Sequence, residues 1–176
     1  MQLPHFKAEA TRIEGLTPSR EDKMRQSIVV FEKVMNDIDF QTKLLQFPFQ
    51  FDVPDDPNRN LTPEQVVIKI YDAQEHFKPD KDNTANLHWI IRKKKRPLFS
   101  RRPAIGFGSP GGVEFFTYTW FFDQTNNLPD IAGHIAHEWS HKIGFDHLFN
   151  YHPGRENTVP YAFGNLVEKY ARNHVA

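Results

Sequence analysis

The residues of this chain with the clearest chemistry lie in one short segment, from His137 to His147. The segment reads H-E-W-S-H-K-I-G-F-D-H, which is the pattern H-E-x-x-H-x-x-G-x-x-H. On a helix, side chains four residues apart project from the same face, so His137 and His141 can bind one metal ion together. Glu138 follows the first histidine, where its carboxylate can reach a water on the metal rather than the metal itself. The pattern therefore predicts a zinc ion beside a general base.

Gly144 and His147 complete the predicted metal site. Glycine adopts a left-handed conformation at little cost, so the chain can leave the helix at Gly144 and turn back. The turn brings His147 toward the two helical histidines as a third ligand. Three protein ligands leave a fourth position for water, which is typical of catalytic rather than structural zinc. Two alternatives stay open, namely a helix with unrelated polar histidines and a site that binds zinc without catalysis.

These eleven residues resemble the signature of the metzincin clan of zinc endopeptidases. The resemblance implies an α+β fold, in which a twisted mixed sheet with a backing helix and the zinc-site helix lies above a small C-terminal helical lobe. It also implies that His137, His141 and His147 bind Zn²⁺, and that Glu138 is the catalytic base in peptide-bond hydrolysis. The specific resemblance covers about residues 103–168, and the first hundred residues carry no motif of the clan.

The chain departs from the metzincin pattern after the third histidine. Metzincins place a methionine in a turn beneath the zinc, whereas this chain has methionine only at positions 1, 24 and 35. The segment 158–161 lies at a suitable distance for that turn, where Val159 or Pro160 would supply an apolar floor. Tyr161 is a candidate catalytic residue, because several metzincins place a tyrosine near this turn that contacts zinc or the transition state. The alternative for Tyr161 is an aromatic residue that begins an ordinary helix.

Three further polar residues bear on the predicted metal site. His134 precedes His137 by three residues, and a supporting or surface role is favoured over ligation. Asp146 can hydrogen-bond a ligand imidazole and fix its tautomer. Glu168 is the third ligand in an alternative gluzincin-type peptidase, in which a glutamate on a later helix completes the site. The pattern also leaves open a zinc-containing, non-catalytic protein-binding module and a zinc hydrolase that acts on a non-peptide amide.

The hydrophobic pattern predicts one catalytic domain, with an N-terminal lobe over 1–147 and a small C-terminal lobe over 148–176. Residues 1–18 are predicted to be irregular. A helix from Thr62, with a buried face that runs to Phe77, is predicted to back the sheet. Other helices are predicted from Ser19 to about Met35 and over 40–47, 128–143 and 160–172.

Strands are predicted over 87–91, 104–107 and 113–122, the last of them unusually aromatic. In metzincins the strand before the zinc helix is the edge of the sheet. By that resemblance, residues 113–120 would pair with a protein or peptide substrate through main-chain hydrogen bonds. A core strand packed on both faces is the alternative.

The composition fits a globular enzyme and excludes several other classes. The 176 residues include sixteen phenylalanines and no cysteine, which excludes disulfides and cysteine ligands. Twenty-two basic residues balance twenty-two acidic ones, so no overall charge attracts nucleic acid. No apolar run reaches the ~20 residues of a membrane span.

We expect a monomer. The N-terminus lacks a signal-peptide pattern, so a secreted or periplasmic bacterial origin would require a leader that was removed.

A basic run is the other conspicuous feature of the sequence. Arg92–Arg96 and the pair Arg101–Arg102 hold seven of the twenty-two basic residues. Such a run could attract an acidic substrate or an anionic surface. A solvated loop between two strands is the favoured interpretation.

Overall fold

A four-stranded mixed sheet and six helices form the fold, as seen in a computed structural model that describes residues 2–15, 17–98 and 103–174. The strands are β1 (Lys7–Glu14), β2 (Thr84–Arg92), β3 (Gly106–Gly108) and β4 (Phe115–Tyr118). Their order across the sheet is β1-β2-β4-β3; β1, β2 and β4 are parallel, and β3 pairs antiparallel with β4 at one edge. This mixed architecture agrees with the predicted α+β class.

The helices are α1 (Pro18–Met35), α2 (Ile38–Leu45), α3 (Pro63–Asp72), α4 (Thr119–Gln124), α5 (Leu128–Lys142) and α6 (Val159–His174). α1 packs against β1 and α5, and α5 packs along α6. One hydrophobic cluster includes residues from both predicted lobes, so the division at residue 147 stays a prediction. Within the described ranges, every helix is too short or too polar to cross a membrane.

Local sequence signals located three helices correctly. In α1, Met24, Phe31 and Met35 are fully buried, as their spacing predicted. α3 begins with the predicted capping box, in which the Thr62 hydroxyl accepts from the Gln65 N–H and the Gln65 side chain accepts from the Thr62 N–H. α5, over Leu128–Lys142, matches the predicted zinc-site helix almost residue for residue.

Residues 7–14 form strand β1, within the segment 1–18 that was predicted to be irregular, whereas residues 2–6 have no regular structure. Asn36 exchanges two hydrogen bonds of 2.8 Å with the backbone of Phe6, and Glu32 accepts the Ala8 N–H over 2.8 Å. Most β1 side chains are exposed, so the strand lacks the apolar alternation by which strands are recognised. The prediction was wrong because β1 depends on contacts that are distant in sequence.

α1 and α5 pack against the sheet, although α3 was predicted to be the helix that backs it. α3 packs mainly against α2. Val66 and Ile70 are buried as predicted, but Phe77, at the end of the predicted buried face, is 63% exposed. The helix ends before it, because Ala73 adopts a left-handed conformation with φ +51°. An amphipathic pattern shows that a helix has a buried face, but not which element covers that face.

The predicted strand over 113–122 ends at Tyr118, and the aromatic residues after it form α4. Aromatic side chains favour strands. Here, however, Lys23 of α1 donates to the Phe122 and Thr125 carbonyls at the end of α4, over 2.8 and 2.9 Å. A cation at the C-terminus of a helix stabilises it. A contact between residues about a hundred positions apart therefore overrides the local preference.

β4 cannot be the predicted substrate strand over 113–120, because both of its sides are already paired. β2 occupies one side and β3 the other. Phe115 and Thr117 are fully buried, and Trp89 stacks on Phe115 and donates to the Thr117 hydroxyl over 2.8 Å. The structure thus favours the alternative of a core strand, and the strand at this edge of the sheet is β3.

The basic run follows β2 along the outer face of the sheet. Its side chains alternate over the rings of β4 and α4: Arg92 lies 4.0 Å from the Phe116 centroid, Lys94 4.0 Å from Tyr118, and Arg96 5.8 Å from Trp120. Residues 93–97 are exposed and irregular, in agreement with a solvated loop. Arg101 and Arg102 lie outside the described residues.

A buried ion pair anchors α5 to the body of the protein. Lys142 lies 3.2 Å from the Glu75 carboxylate and also donates to the Asn86 carbonyl. The same carboxylate accepts the Trp139 indole N–H over 2.8 Å and the Asn86 N–H over 2.9 Å. Because Trp139 and Lys142 lie on the helix that carries two predicted ligands, this network fixes the rotation of α5 about its axis.

The charge balance of this anchor can be tested by substitution. Lys142→Met should destabilise the protein by about 3–5 kcal/mol, since it leaves Glu75 as an uncompensated buried charge. Adding Glu75→Gln removes that charge and keeps an acceptor for Trp139 and Asn86, so the double variant should recover most of the loss. Urea unfolding measures both. A double variant as unstable as the single one would show that charge pairing is not what stabilises the anchor.

Candidate metal centre

The three histidines predicted as ligands come together at the end of α5. A ligand atom from each of His137, His141 and His147 lies within 4.8 Å of the others. The Nε2 atoms of His137 and His147 are 3.3 Å apart. Two imidazole nitrogens at about 2.0–2.1 Å from a tetrahedral metal ion are themselves separated by about 3.3 Å. The cluster could therefore hold a metal ion with this geometry.

Gly144 turns the chain back toward the helix, as predicted. Its φ is +90°, and its N–H donates to the His141 carbonyl over 2.9 Å. The Phe145 N–H then donates to the Ser140 carbonyl over 3.1 Å, which closes the last turn of α5. This exit places the next residues, up to His147, beside the two helical histidines.

Backbone carbonyls orient two of the ligand rings. His141 Nδ1 lies 2.8 Å from the Phe145 carbonyl, and His147 Nδ1 lies 3.1 Å from the Leu148 carbonyl. When Nδ1–H is donated in this way, Nε2 keeps its lone pair for a metal. Asp146 does not have the predicted role, since it lies 3.9 Å from His141 Nδ1 and accepts instead the His147 backbone N–H over 2.8 Å. Asp146 supports the turn rather than a ring.

All three rings are held in the neutral form that metal binding requires. Burial lowers the pKa of His141 to about 4. Burial, followed by the charges of its two neighbours, lowers the pKa of His137 well below its usual value. Burial also lowers the pKa of His147. At neutral pH, protons therefore compete little with a metal ion for this cluster.

Glu138 is buried beside the cluster, beneath β3. Burial raises the pKa of its carboxyl to about 8, and a hydrogen bond from the Gly108 N–H partly opposes this shift. A divalent cation nearby would favour the ionised carboxylate, because opposite charge within about 4–6 Å lowers a carboxyl pKa. Glu138 can thus exchange a proton when its surroundings gain or lose positive charge, which is what a general base needs.

His134 is buried rather than on the surface, and it lies outside the ligand cluster. Its Nε2 lies 2.7 Å from the Thr117 hydroxyl, which accepts the Trp89 indole N–H. Its Nδ1 lies 3.5 Å from a Glu138 oxygen. Burial lowers the pKa of His134 to about 3, so the ring is neutral. The prediction of a supporting role agrees with this chain of contacts from β2 to Glu138.

β3 lies directly over α5, at a distance that only glycine allows. A Cβ at Gly106 would lie 2.4 Å from both His134 Cε1 and the Phe116 carbonyl oxygen. A Cβ at Gly108 would lie 2.9 Å from the Glu138 carbonyl oxygen. This close approach covers Glu138 and His134 with backbone, and it places the edge strand along the rim of the cluster.

Tyr161 packs against two of the ligand rings. Its ring centroid is 4.5 Å from that of His137 and 4.6 Å from that of His147. Val159 and Pro160, the predicted apolar floor, are buried in the same first turn of α6. Tyr161 both begins a helix and lies at the site, so its position is compatible with the predicted catalytic role, which stays a prediction.

α6 approaches α5 with backbone against backbone below the cluster. A Cβ at Gly164 would lie 2.8 Å from the Gly133 carbonyl oxygen and 3.0 Å from His137 Cβ. Glu168, the alternative third ligand, lies farther along α6 and binds Arg172 through contacts of 2.9 and 3.2 Å. It does not belong to the group of possible ligand atoms, so the geometry favours His147 over Glu168.

Asp52 ties the segment after the third histidine to an earlier loop. Its Oδ1 accepts the Leu148 N–H over 3.1 Å, and its Oδ2 lies 2.6 Å from His152 Nε2. The Gln50 N–H donates to the Asn157 carbonyl over 2.9 Å. The residues that follow the third ligand are therefore held by the loop before α3.

The cluster opens into a cleft of about 480 Å³, which β3, α5, α6 and residues 146–156 line. Arg155 is the one arginine or lysine among the described residues that line it. Its guanidinium carbon lies 4.2 Å from the centroid of the Tyr161 ring. Arg155 was not predicted from the sequence, where it stands between glycine and glutamate without a recognisable motif.

Comparison with known proteins identifies neither a family nor an activity. The chain is 32% identical over 68 residues to the "Uncharacterized protein YjfC" of Bacillus subtilis (strain 168). The match covers 38% of this chain but only 22% of that protein. No family model matches the chain, and no solved structure shows significant similarity to it. The chemistry of the site must therefore be argued from its geometry.

Removal of the third histidine should separate the two possible ligand sets. We expect His147→Ala to weaken metal binding by more than the roughly 10- to 100-fold that loss of a ligand's supporting partner causes. Glu168→Ala should leave metal affinity unchanged. Titration calorimetry with Zn²⁺ and metal analysis after dialysis measure both variants. The reverse ranking would identify Glu168 as the ligand.

Substitution of His134 should reduce the acid sensitivity of the metal-free protein. In the unfolded chain, His134 titrates near pH 6.5, whereas burial lowers the pKa of His134 in the folded protein to about 3. Between these pH values, only the unfolded state takes up a proton at this residue. Stability therefore falls as the pH decreases across this range, by up to about 1.4 kcal/mol per pH unit from this group. His134→Gln should show a shallower decline in urea unfolding with a chelator present. Parallel pH profiles would contradict a buried neutral His134.

Proposed function

We propose that the protein is a zinc-dependent endopeptidase, in which His137, His141 and His147 bind Zn²⁺ and Glu138 is the general base. One observation carries the proposal: three inward-facing imidazoles share a cleft with a buried carboxylate and an edge strand. Imidazole ligands in tetrahedral array suit zinc. Zinc bound by three protein ligands lowers the pKa of a water toward ~7 and polarises a carbonyl oxygen.

Glu138 and Tyr161 supply the remaining chemistry in this proposal. Glu138 accepts the proton of the attacking water and then donates it to the departing amine. Burial raises the pKa of Tyr161, so its phenol stays protonated at neutral pH and can donate a hydrogen bond to the developing oxyanion. His134 is buried beside Glu138, with its Nδ1 3.5 Å from the carboxylate, and supports the position of the base.

The substrate strand in this proposal pairs with β3 rather than with β4. β3 has a strand partner on one side only among the described residues, and it lines the cleft. An extended peptide can add to such an edge through main-chain hydrogen bonds, which hold the scissile carbonyl in a fixed register.

Two rival functions differ from this proposal in measurable ways. A gluzincin-type peptidase would need Glu168 as a metal ligand. The ion pair between Glu168 and Arg172 disfavours that role. A non-catalytic binding module would need the cluster but not Glu138. Burial of the Glu138 carboxylate beside the cluster is unfavourable, because ionisation of a buried carboxyl costs free energy without a cationic partner. A role in proton transfer accounts for this burial better than a role in docking does.

The decisive experiment is a peptide-library digest with the zinc-loaded protein, run beside Glu138→Gln. The variant keeps the three imidazoles, so we expect unchanged zinc content. Its kcat/KM should fall by at least about 10²–10⁴-fold, because the general base is lost. Metal analysis and mass spectrometry of the products give both values.

The control for this experiment is Glu64→Gln, which makes the same change at an exposed position of α3 and should retain full turnover. A wild-type protein that binds zinc but cleaves no library member would leave the binding module as the function. Full activity in Glu138→Gln would contradict the assigned role of Glu138.

A further inference from the structure

Arg155 is a cation in the cleft, and no described residue is an anionic partner for it. Its Nε is buried and makes no hydrogen bond. No carboxylate among the described residues forms an ion pair with it; its guanidinium lies instead against the face of Tyr161, at 4.2 Å. A buried donor without an acceptor is costly, and a guanidinium that lines a cleft without a paired carboxylate can bind an anion that enters the cleft.

No acidic residue among the described residues of the cleft lining lies within 4.0 Å of the Arg155 guanidinium as an ion pair. Asp130 and Glu168 both bind Arg172, which lies outside the cleft lining. Asp146 accepts the backbone N–H of the third ligand. Three acidic residues of the lining are thus committed to other groups.

The position of Arg155 is also unfavourable for the metal site alone. Its guanidinium packs on the Tyr161 ring, which also contacts the His137 and His147 rings. A positive charge this close to the cluster disfavours a metal cation there. The position of Arg155 therefore weakens metal binding at the histidine cluster, and a bound anion would offset this repulsion.

We propose that Arg155 binds a carboxylate of the substrate, so that the cleft selects peptides with an anionic group close to the scissile bond. This inference rests on the proposed peptidase function. The planar guanidinium matches a carboxylate through two parallel hydrogen bonds. Tyr161 is the spacer, since it contacts Arg155 on its face and His137 and His147 elsewhere on its ring.

The spacing limits where the carboxylate can lie. The Arg155 Cζ atom lies 4.2 Å from the centroid of the Tyr161 ring, and that centroid lies 4.5 Å from the centroid of the His137 ring. An extended peptide advances about 3.3 Å per residue, so the carboxylate lies within about three residues of the cleaved bond. It can come from an Asp or Glu side chain or from a free C-terminus, and both sources have the same chemistry.

The test compares peptides that differ in one group. A neutral peptide that the enzyme cleaves is prepared with Asp, Asn or Lys at each of the three positions on either side of the cleaved bond, with an amidated C-terminus. A second set ends within three residues of that bond, as a free acid or as an amide. At one position, wild-type kcat/KM should favour Asp over Asn, or acid over amide, by about 10- to 100-fold.

Variants of Arg155 should change this preference in a graded way. Arg155→Lys should keep part of the preference and Arg155→Ala should remove it. Arg155→Glu should reverse it in favour of the Lys peptide, a gain that a folding defect would not produce. The control is Arg25→Gln, which changes net charge equally on α1, outside the cleft lining, and should keep the wild-type ratio.

A binding measurement separates this inference from the proposed function. Fluorescence anisotropy with labelled Asp and Asn peptides is measured on Glu138→Gln, with and without Arg155→Ala. Tighter binding of the Asp peptide that depends on Arg155 supports carboxylate recognition even if no peptide is cleaved, in which case only the peptidase proposal fails. Equal binding of both peptides, or cleavage ratios that Arg155 variants leave unchanged, overturns the role of Arg155.

Discussion

The close approach of β3 to α5 is the constraint on which the rest of the site depends. At Gly106 and Gly108, any side chain would enter the space of His134, Glu138 or their backbone. The contact removes water from both groups, which accounts for the low pKa of His134 and the high pKa of Glu138. The same contact sets the edge strand beside the histidine cluster. One steric condition therefore determines both the burial of Glu138 and the position of the edge strand.

α5 combines chemistry on one face with anchoring on the other. His137, Glu138 and His141 face the cleft, while Trp139 and Lys142 bind Glu75 in the interior. Adjacent residues of a helix are separated by about 100° of rotation, so a fixed indole fixes the direction of the neighbouring carboxylate. The helix that carries His137 and His141 is thus oriented by hydrogen bonds of Trp139 and Lys142.

Sequence patterns predicted the parts of the site that are local in the chain. The ligands, Gly144 and the bounds of α5 all follow from one helix and one turn. β1 and α4 were missed because α1 holds them across large sequence separations, which no local pattern records. Arg155 was missed for a related reason, since its type and neighbours do not reveal that it lacks a partner. The identity of the strand at the sheet edge likewise required the pairing of β3 with β4.

The link from Asp52 to Leu148 and His152 has a consequence for the independence of the histidine motif. Asp52, almost a hundred residues earlier in the chain, binds Leu148 and His152, the residues that follow His147. A peptide excised around the motif would contain every coordinating group and yet lose the scaffold that brings the last one inward. The motif is in this sense incomplete by itself, and its chemistry belongs to the folded chain as a whole.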